Sequence, residues 1–370
     1  MRFISVIILS VIGLQVAGQT IADSMPVRGL CIAAPNPDMV DVFVDFIDDE
    51  LAPLGLNTLV LRVDFQYEYE SHPELRGEEV LTKTDVEKIA DICREHGIDV
   101  IPQINLLGHQ SWHTKVTKLL EVYPEFDETP HVEMPEEYKW PNEDGLYCKS
   151  YCPLHPDVHE IVFALVDEVM DAFGVSAFHA GMDEVFYLGD DKCPRCSGRD
   201  KAELFAMEVT KIRNHLAASD RELWIWGDRL IDGKTTGIGI WEASMNNTHR
   251  AVDLIPKDVV ICDWHYERAE PTAVYFAMKG FRVVTCPWRR ANVALQQVED
   301  WRRLRQNANP DIAKNHLGMM QTVWSGMEGF LEKYEEVDAE SVEDNLTGSI
   351  WSFKQLFKAL KGDFHSESRH

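Results

Sequence analysis

The sequence predicts an α/β protein, a (β/α)8 barrel of the TIM type built as one domain. Short apolar strand-like runs alternate with loops and amphipathic helical segments along the chain. There are eight such runs, the number that closes a barrel. Each is apolar nearly throughout rather than alternating, as a strand covered by helices on its sheet faces must be. The 370 residues accommodate a barrel of about 250 residues with long loops. A doubly wound open sheet is the competing arrangement. No Gly/Ser linker, composition break, internal repeat or low-complexity tract divides the chain, so residues 23–370 read as a single barrel domain.

The elements follow in order. Arg2, a short apolar run to Val16, and then Ala17-Gly18-Gln19-Thr20-Ile21-Ala22 resemble a secretory leader over residues 1–22. The alternative is an anchor that is never removed. Cleavage predicts an exported, soluble protein, because no later apolar run is long enough to cross a bilayer. The strand-like runs are residues 27–34, 58–64, 99–105, 175–181, 223–228, 259–264, 282–288 and 317–324. Thr84-Asp85-Val86-Glu87 reads as a capping box opening a helix that stops at Gly97. Val158, Ile161, Val162, Leu165, Val166, Val169 and Met170 form one apolar helical face, with Gly174 as the stop. A third clear helix spans residues 201–218. The longest loop, residues 106–156, follows strand three and is long enough to carry function.

Composition narrows the partners. Apolar residues make up 45% and aromatic residues 10%, which excludes a disordered chain. The 62 acidic against 36 basic residues give a formal charge of −26. Such a surface repels phosphate backbones and anionic bilayers, so nucleic acid is excluded and a neutral or cationic ligand fits. Of the eight cysteines, Cys31, Cys93, Cys262 and Cys286 lie in apolar runs and read as buried thiols. Cys148 and Cys152, together with Cys193 and Cys196 of a CxxC, could hold a structural zinc on four thiolates. They could equally form disulfides or stay free. Asn246-Asn247-Thr248 and Asn345-Leu346-Thr347 are glycan acceptors only in a glycosylating host.

A barrel places its active site at the C-terminal ends of the strands. Here those ends carry Asp64, Asn105, His109, the stretch from His179 to Glu184, Asp228, Trp264, Tyr266, Trp288 and Trp324. Carboxylates beside indoles suit a carbohydrate: the acids exchange protons and the indoles stack on apolar sugar faces. The adjacent acids Asp183 and Glu184 leave a strand in different directions, so their environments and proton affinities can differ. One can stay ionised while the other acts as a general acid.

Phe178-His179-Ala180-Gly181-Met182-Asp183-Glu184 resembles the His-x-Gly-Gly-Asp-Glu motif of family 20 glycoside hydrolases, the β-N-acetylhexosaminidases, with Met182 in place of the second glycine. Val100-Ile101-Pro102-Gln103-Ile104-Asn105 with Gly108-His109, Cys152-Pro153-Leu154-His155-Pro156, Trp264-His265-Tyr266 and Trp324 are similar in the same order. The likeness is to the compact branch that includes the D-type hexosaminidases. It implies an exo-acting enzyme of retaining, substrate-assisted mechanism on terminal N-acetylhexosamines, with no cofactor required. It implies Glu184 as acid and base, Asp183 on the acetamido N–H and Tyr266 on the acetamido oxygen. Trp264, Trp288 and Trp324 would wall the sugar. Asp64 and His109 would form a chain that tunes Glu184, or His109 would only order its loop. His179 would support the acids from beneath, and Asp228 would bind a hydroxyl or cap its loop.

Two places depart from the family pattern. Strand one ends in Ala33-Ala34-Pro35-Asn36-Pro37, without the family's arginine, and Arg28 lies at the other end of that strand. Strand eight ends in Trp324-Ser325-Gly326, without Trp-x-Glu. These departures motivate a second reading, a non-catalytic carbohydrate-binding protein on the same barrel. A third is a retaining glycosidase with its own nucleophile.

Overall fold

The computed structural model describes residues 25–139, 148–340 and 344–362. The leader read over residues 1–22 lies outside them. Eight strands form the wall: β1 (Val27–Ala33), β2 (Thr58–Arg62), β3 (Asp99–Leu106), β4 (Ala177–Gly181), β5 (Glu222–Trp226), β6 (Val260–Trp264), β7 (Arg282–Cys286) and β8 (His316–Thr322). Each pairs in parallel with its sequence neighbours, and β8 returns to β1 with Cys31 opposite Thr322. That pairing closes the sheet and excludes the open alternative.

Both faces of the wall are apolar for the reason the sequence suggested. Cys31, Val60, Ile101, Trp226, Cys262 and Val284 point into the barrel. Their neighbours Leu30, Leu59, Leu61 and Val100 point out against the helices. Each buried aliphatic side chain contributes about 1.5–3 kcal/mol, so a strand polar on either face would forfeit half of its packing. The covering helices are α1 (Val40–Phe46), α2 (Lys83–Glu95), α3 (Val158–Phe173), α4 (Lys201–Ala217), α5 (Thr272–Met278), α6 (Ala291–Asn307) and α7 (Asn345–Leu360). α3 buries Val158, Val162, Leu165, Val166, Val169, Met170 and Phe173, and Gly174 ends it at φ 66°.

The start of α2 corrects the sequence reading. The capping box is Thr82 with Asp85, not Thr84 with Glu87. Thr82 is extended and accepts the Asp85 N–H, while Leu81 before it and Val86 are both fully buried. Those two apolar residues occupy the positions of a hydrophobic staple, and burying them selects the earlier register. A second difference follows β5, where a 3-10 turn over Thr248–Asp253 replaces a full helix. There the Thr248 hydroxyl bonds Ser244 and the Arg229 carbonyl, and such side-chain bonds compete with helix formation. Among the described residues no helix is long and apolar enough to cross a membrane.

Candidate active site

The end-of-strand residues gather at one mouth of the barrel. β4 ends at Gly181, and the chain then turns through Met182 at φ 69°, Asp183 and Glu184 at φ 49°. The facing loop after β3 turns through Leu107 at φ 61° and His109 at φ 52°. Left-handed backbone on non-glycine residues costs on the order of 1–3 kcal/mol each, so the surroundings must hold it. Two glycines let the loops meet. A Cβ on Gly108 would stand 2.4 Å from the Asp183 carbonyl oxygen, and one on Gly181 would stand 2.3 Å from Asn105 Oδ1.

His109 Nε2 lies 3.0 Å from Asp183 Oδ2 and 3.5 Å from Glu184 Oε2. Cys148 donates its thiol hydrogen to the same Glu184 oxygen at 3.0 Å. The Glu184 backbone N–H donates to Asp228 Oδ2 at 2.9 Å. Asp228 is also held by Arg229 Nε at 2.6 Å and by the Trp264 indole N–H at 3.3 Å. Asp228 is 2% exposed, so its carboxylate anchors Glu184 and Trp264 to one point beneath the mouth. Arg229, itself fully buried, donates to the carbonyls of Ile240, Trp241 and Ala243 and fixes the loop after β5.

The neighbouring acids are driven apart. Burial pushes the Glu184 carboxyl up to about 7; His109 opposes that rise and Asp183 adds to it. Burial also works against a charge on Asp183, but the His109 imidazolium holds that carboxyl below its ordinary range. Burial likewise disfavours charge on His109, yet the Asp183 carboxylate holds its proton affinity well above the ordinary histidine value. These shifts favour an Asp183–His109 ion pair beside a Glu184 that holds its proton more tightly than an ordinary carboxyl. The side chains keep 8% and 14% of their surface open, enough to reach a ligand at the mouth.

Aromatic rings form the opposite wall. Trp264 and Tyr266 lie 4.8 Å apart by centroids, and Tyr266 and Trp288 5.2 Å. The Trp324 indole N–H donates to the Tyr266 hydroxyl at 2.8 Å, and the Thr322 side chain is a second partner of that phenol. Glu242 accepts the Tyr266 backbone N–H and bonds His265, fixing the turn after β6. His179 is fully buried, accepts the Gly181 N–H at 3.0 Å and packs on Trp226, beneath the acids. Asp64, at φ 45°, turns its carboxylate to the backbone and side chain of Asn105, while His109 reaches the two acids directly.

The cysteine set is also corrected. None of the eight cysteines is in a disulfide, and Cys148 stands with His109 and Glu184 rather than with the other three. The backbone of Lys149 and Tyr151 pairs with Gln110 and Leu107, keeping this stretch extended. Four residues of extended chain reach about 13 Å, so Cys148 and Cys152 end up in different environments. Glu128 takes the fourth place beside Cys152, Cys193 and Cys196. His109, Cys148 and Glu184 form a second, three-atom set of metal-ligating type at the mouth. Sequence reasoning did not assign Arg62, Glu128, Arg229 or Glu242, or place Cys148 on the acid; Arg62 ends β2 and lay open to the end-of-strand rule. In the first acceptor motif the Asn246 amide donates to the Val185 and Phe186 carbonyls.

Residues 60–337 match the profile described as "Glycosyl hydrolase family 20, catalytic domain". The chain is 25% identical over 190 residues to Hexosaminidase D of Bos taurus, covering 48% of this chain and 49% of that protein. It is 24% identical over 256 residues to Lacto-N-biosidase of Bifidobacterium bifidum, covering 66% of this chain and 20% of that one. The fold is similar to a β-N-acetylhexosaminidase from Bacteroides fragilis, at TM-score 0.62 and 16% identity over 94% of this chain and 68% of that one. The matches thus span about a fifth to a half of those two curated relatives. With the profile running through the barrel and across both acids, the chain belongs to glycosyl hydrolase family 20.

Proposed function

We propose that this protein is an exo-acting β-N-acetylhexosaminidase that hydrolyses terminal N-acetylhexosamines with retention of configuration. The observation that carries the reading is the split proton affinity of two adjacent acids, one ion-paired to His109 and one raised to about 7. Asp183, ionised, accepts the substrate's acetamido N–H and orients its carbonyl oxygen toward the anomeric carbon. That oxygen attacks as Glu184 gives its proton to the departing glycosidic oxygen, forming a cyclic oxazolinium-type intermediate. Glu184, now a carboxylate, takes a proton from water; the water oxygen bonds to the anomeric carbon and the acetamide re-forms. Tyr266 turns its hydroxyl hydrogen from Thr322 to the acetamido oxygen, and Trp264, Trp288 and Trp324 enclose the sugar. No cofactor takes part in these steps.

The test is release of nitrophenol from the N-acetyl-β-glucosaminide and galactosaminide. A wild-type rate retained in Glu184→Gln overturns the reading. The absence of an arginine at the end of β1 favours the binding-protein alternative, which predicts calorimetric binding of N-acetylhexosamines without turnover. Export is part of the proposal and rests on the residue 1–22 leader. It is checked by N-terminal sequencing of the protein recovered outside the producing cytoplasm.

A further inference from the structure

Behind the acid pair, three thiols and a carboxylate converge from two loops. Cys152 Sγ is 3.3 Å from Cys196 Sγ and 3.6 Å from Cys193 Sγ. One oxygen of Glu128 joins them, with all four atoms within 4.8 Å of one another. None of the four residues is more than 1% exposed. Thiolates bound at about 2.3 Å around a tetrahedral ion stand roughly 3.8 Å apart, close to the spacing found. A disulfide needs about 2.05 Å and would use only two of the three sulfurs.

Two details point to a ligand rather than to packing. The Cys196 backbone N–H donates to Cys193 Sγ at 3.4 Å, the contact that stabilises a thiolate in a CxxC turn. Glu128 Oε1 accepts the Asp190 N–H at 3.0 Å, but Oε2 is buried with no hydrogen-bond partner. A buried carboxylate oxygen left unpaired is costly, and a cation among the sulfurs would satisfy it.

We propose that Glu128, Cys152, Cys193 and Cys196 hold a structural zinc ion. Four protein ligands leave no position for substrate, so the ion is a clip and not a catalyst. It ties the β3–α3 loop, through Glu128 and Cys152, to the β4–α4 loop, through Cys193 and Cys196. Those loops also carry Cys148 with His109, and Asp183 with Glu184. The clip therefore fixes from behind the left-handed turns that bring the acids to the mouth.

The experiment uses the full chain without a polyhistidine tag, purified in reductant and dialysed. Elemental analysis is expected to find about one zinc per chain. Cys152→Ser and Cys196→Ser should drop it below roughly a tenth, while Cys148→Ala keeps it. Stripping the wild type with a chelator should lower the thermal midpoint, and zinc, not magnesium, should restore it. Where a serine variant fails to fold, mercurial titration of the wild type gives the answer: zinc should leave as three thiols react. Zinc-free protein with a disulfide among the three cysteines overturns the proposal. So does zinc-free protein with three free thiols and a chelator-insensitive midpoint. So does zinc that follows Cys148 instead of Cys196.

Discussion

The two sides of the barrel mouth are built on different terms. On the β3–β4 side, Leu107, His109, Met182 and Glu184 adopt left-handed backbone, and the acids are held by His109, Cys148 and Asp228. On the β8–β1–β2 side the chain is plainer. β1 runs into Ala33-Ala34-Pro35, the Asn36 N–H is taken by Glu328, and Arg62 lies 4.8 Å over Trp324 while bonding the Val323 carbonyl. Under the proposed mechanism the first side is over-determined because proton transfer requires charges placed before the substrate arrives. The second would face neutral hydroxyls, whose recognition tolerates other donors, and there the family's arginine and Trp-x-Glu are absent. In the proposed mechanism, catalytic chemistry and sugar recognition would separate across one mouth.

The largest test removes the acid. Glu184→Gln should lower kcat on a substrate with a poor leaving group by about 10²–10⁴-fold, and by less on one whose leaving group needs no proton. The rate of the parent protein should fall as pH rises through about 7, since the first step needs the protonated carboxyl. The same raised value carries a stability cost. Native stability from this group is full below the ordinary carboxyl range and is lost as pH climbs through about 7. Glu184→Gln should therefore melt above the parent at pH 8, with the gap narrowing at pH 5; a lower melting point at pH 8 would contradict the burial argument.

Asp183→Asn comes next, at roughly a hundredfold loss in kcat. It should also move the alkaline limb of the pH profile down, because the Asp183 charge helps raise Glu184. Arg62→Ala tests the other side. It should raise KM by about tenfold or less, the scale of one charged contact, with the pH profile left in place. A displaced profile would mean the two sides are electrically joined and the division is wrong. The smallest effect is expected of Cys148→Ala. Its thiol hydrogen favours the ionised Glu184, so its loss should raise the Glu184 proton affinity and carry the alkaline limb upward. A downward displacement would show that Cys148 acts otherwise.

The barrel, the strand ends and the acid pair are legible in the order of residues alone. Each is written locally: apolar runs mark strands, helical spacing marks α3, and adjacency alone puts Asp183 and Glu184 on one turn after β4. The α2 capping box lies two residues earlier than Thr84 suggests, because two overlapping Thr-x-x-acid patterns differ only in what Leu81 and Val86 bury. The partners are set by packing in three dimensions. That Cys148 meets Glu184, that Glu128 meets three thiols, and that Asp228 anchors the Glu184 backbone follow from loops of different strands meeting in space. Those meetings depend on left-handed turns and on close approaches such as that of Gly108 to Asp183, which no periodicity records. Met182 shows the divide in one residue: its side chain is fully buried, and that packing holds a φ of 69° where a local reading asks for glycine.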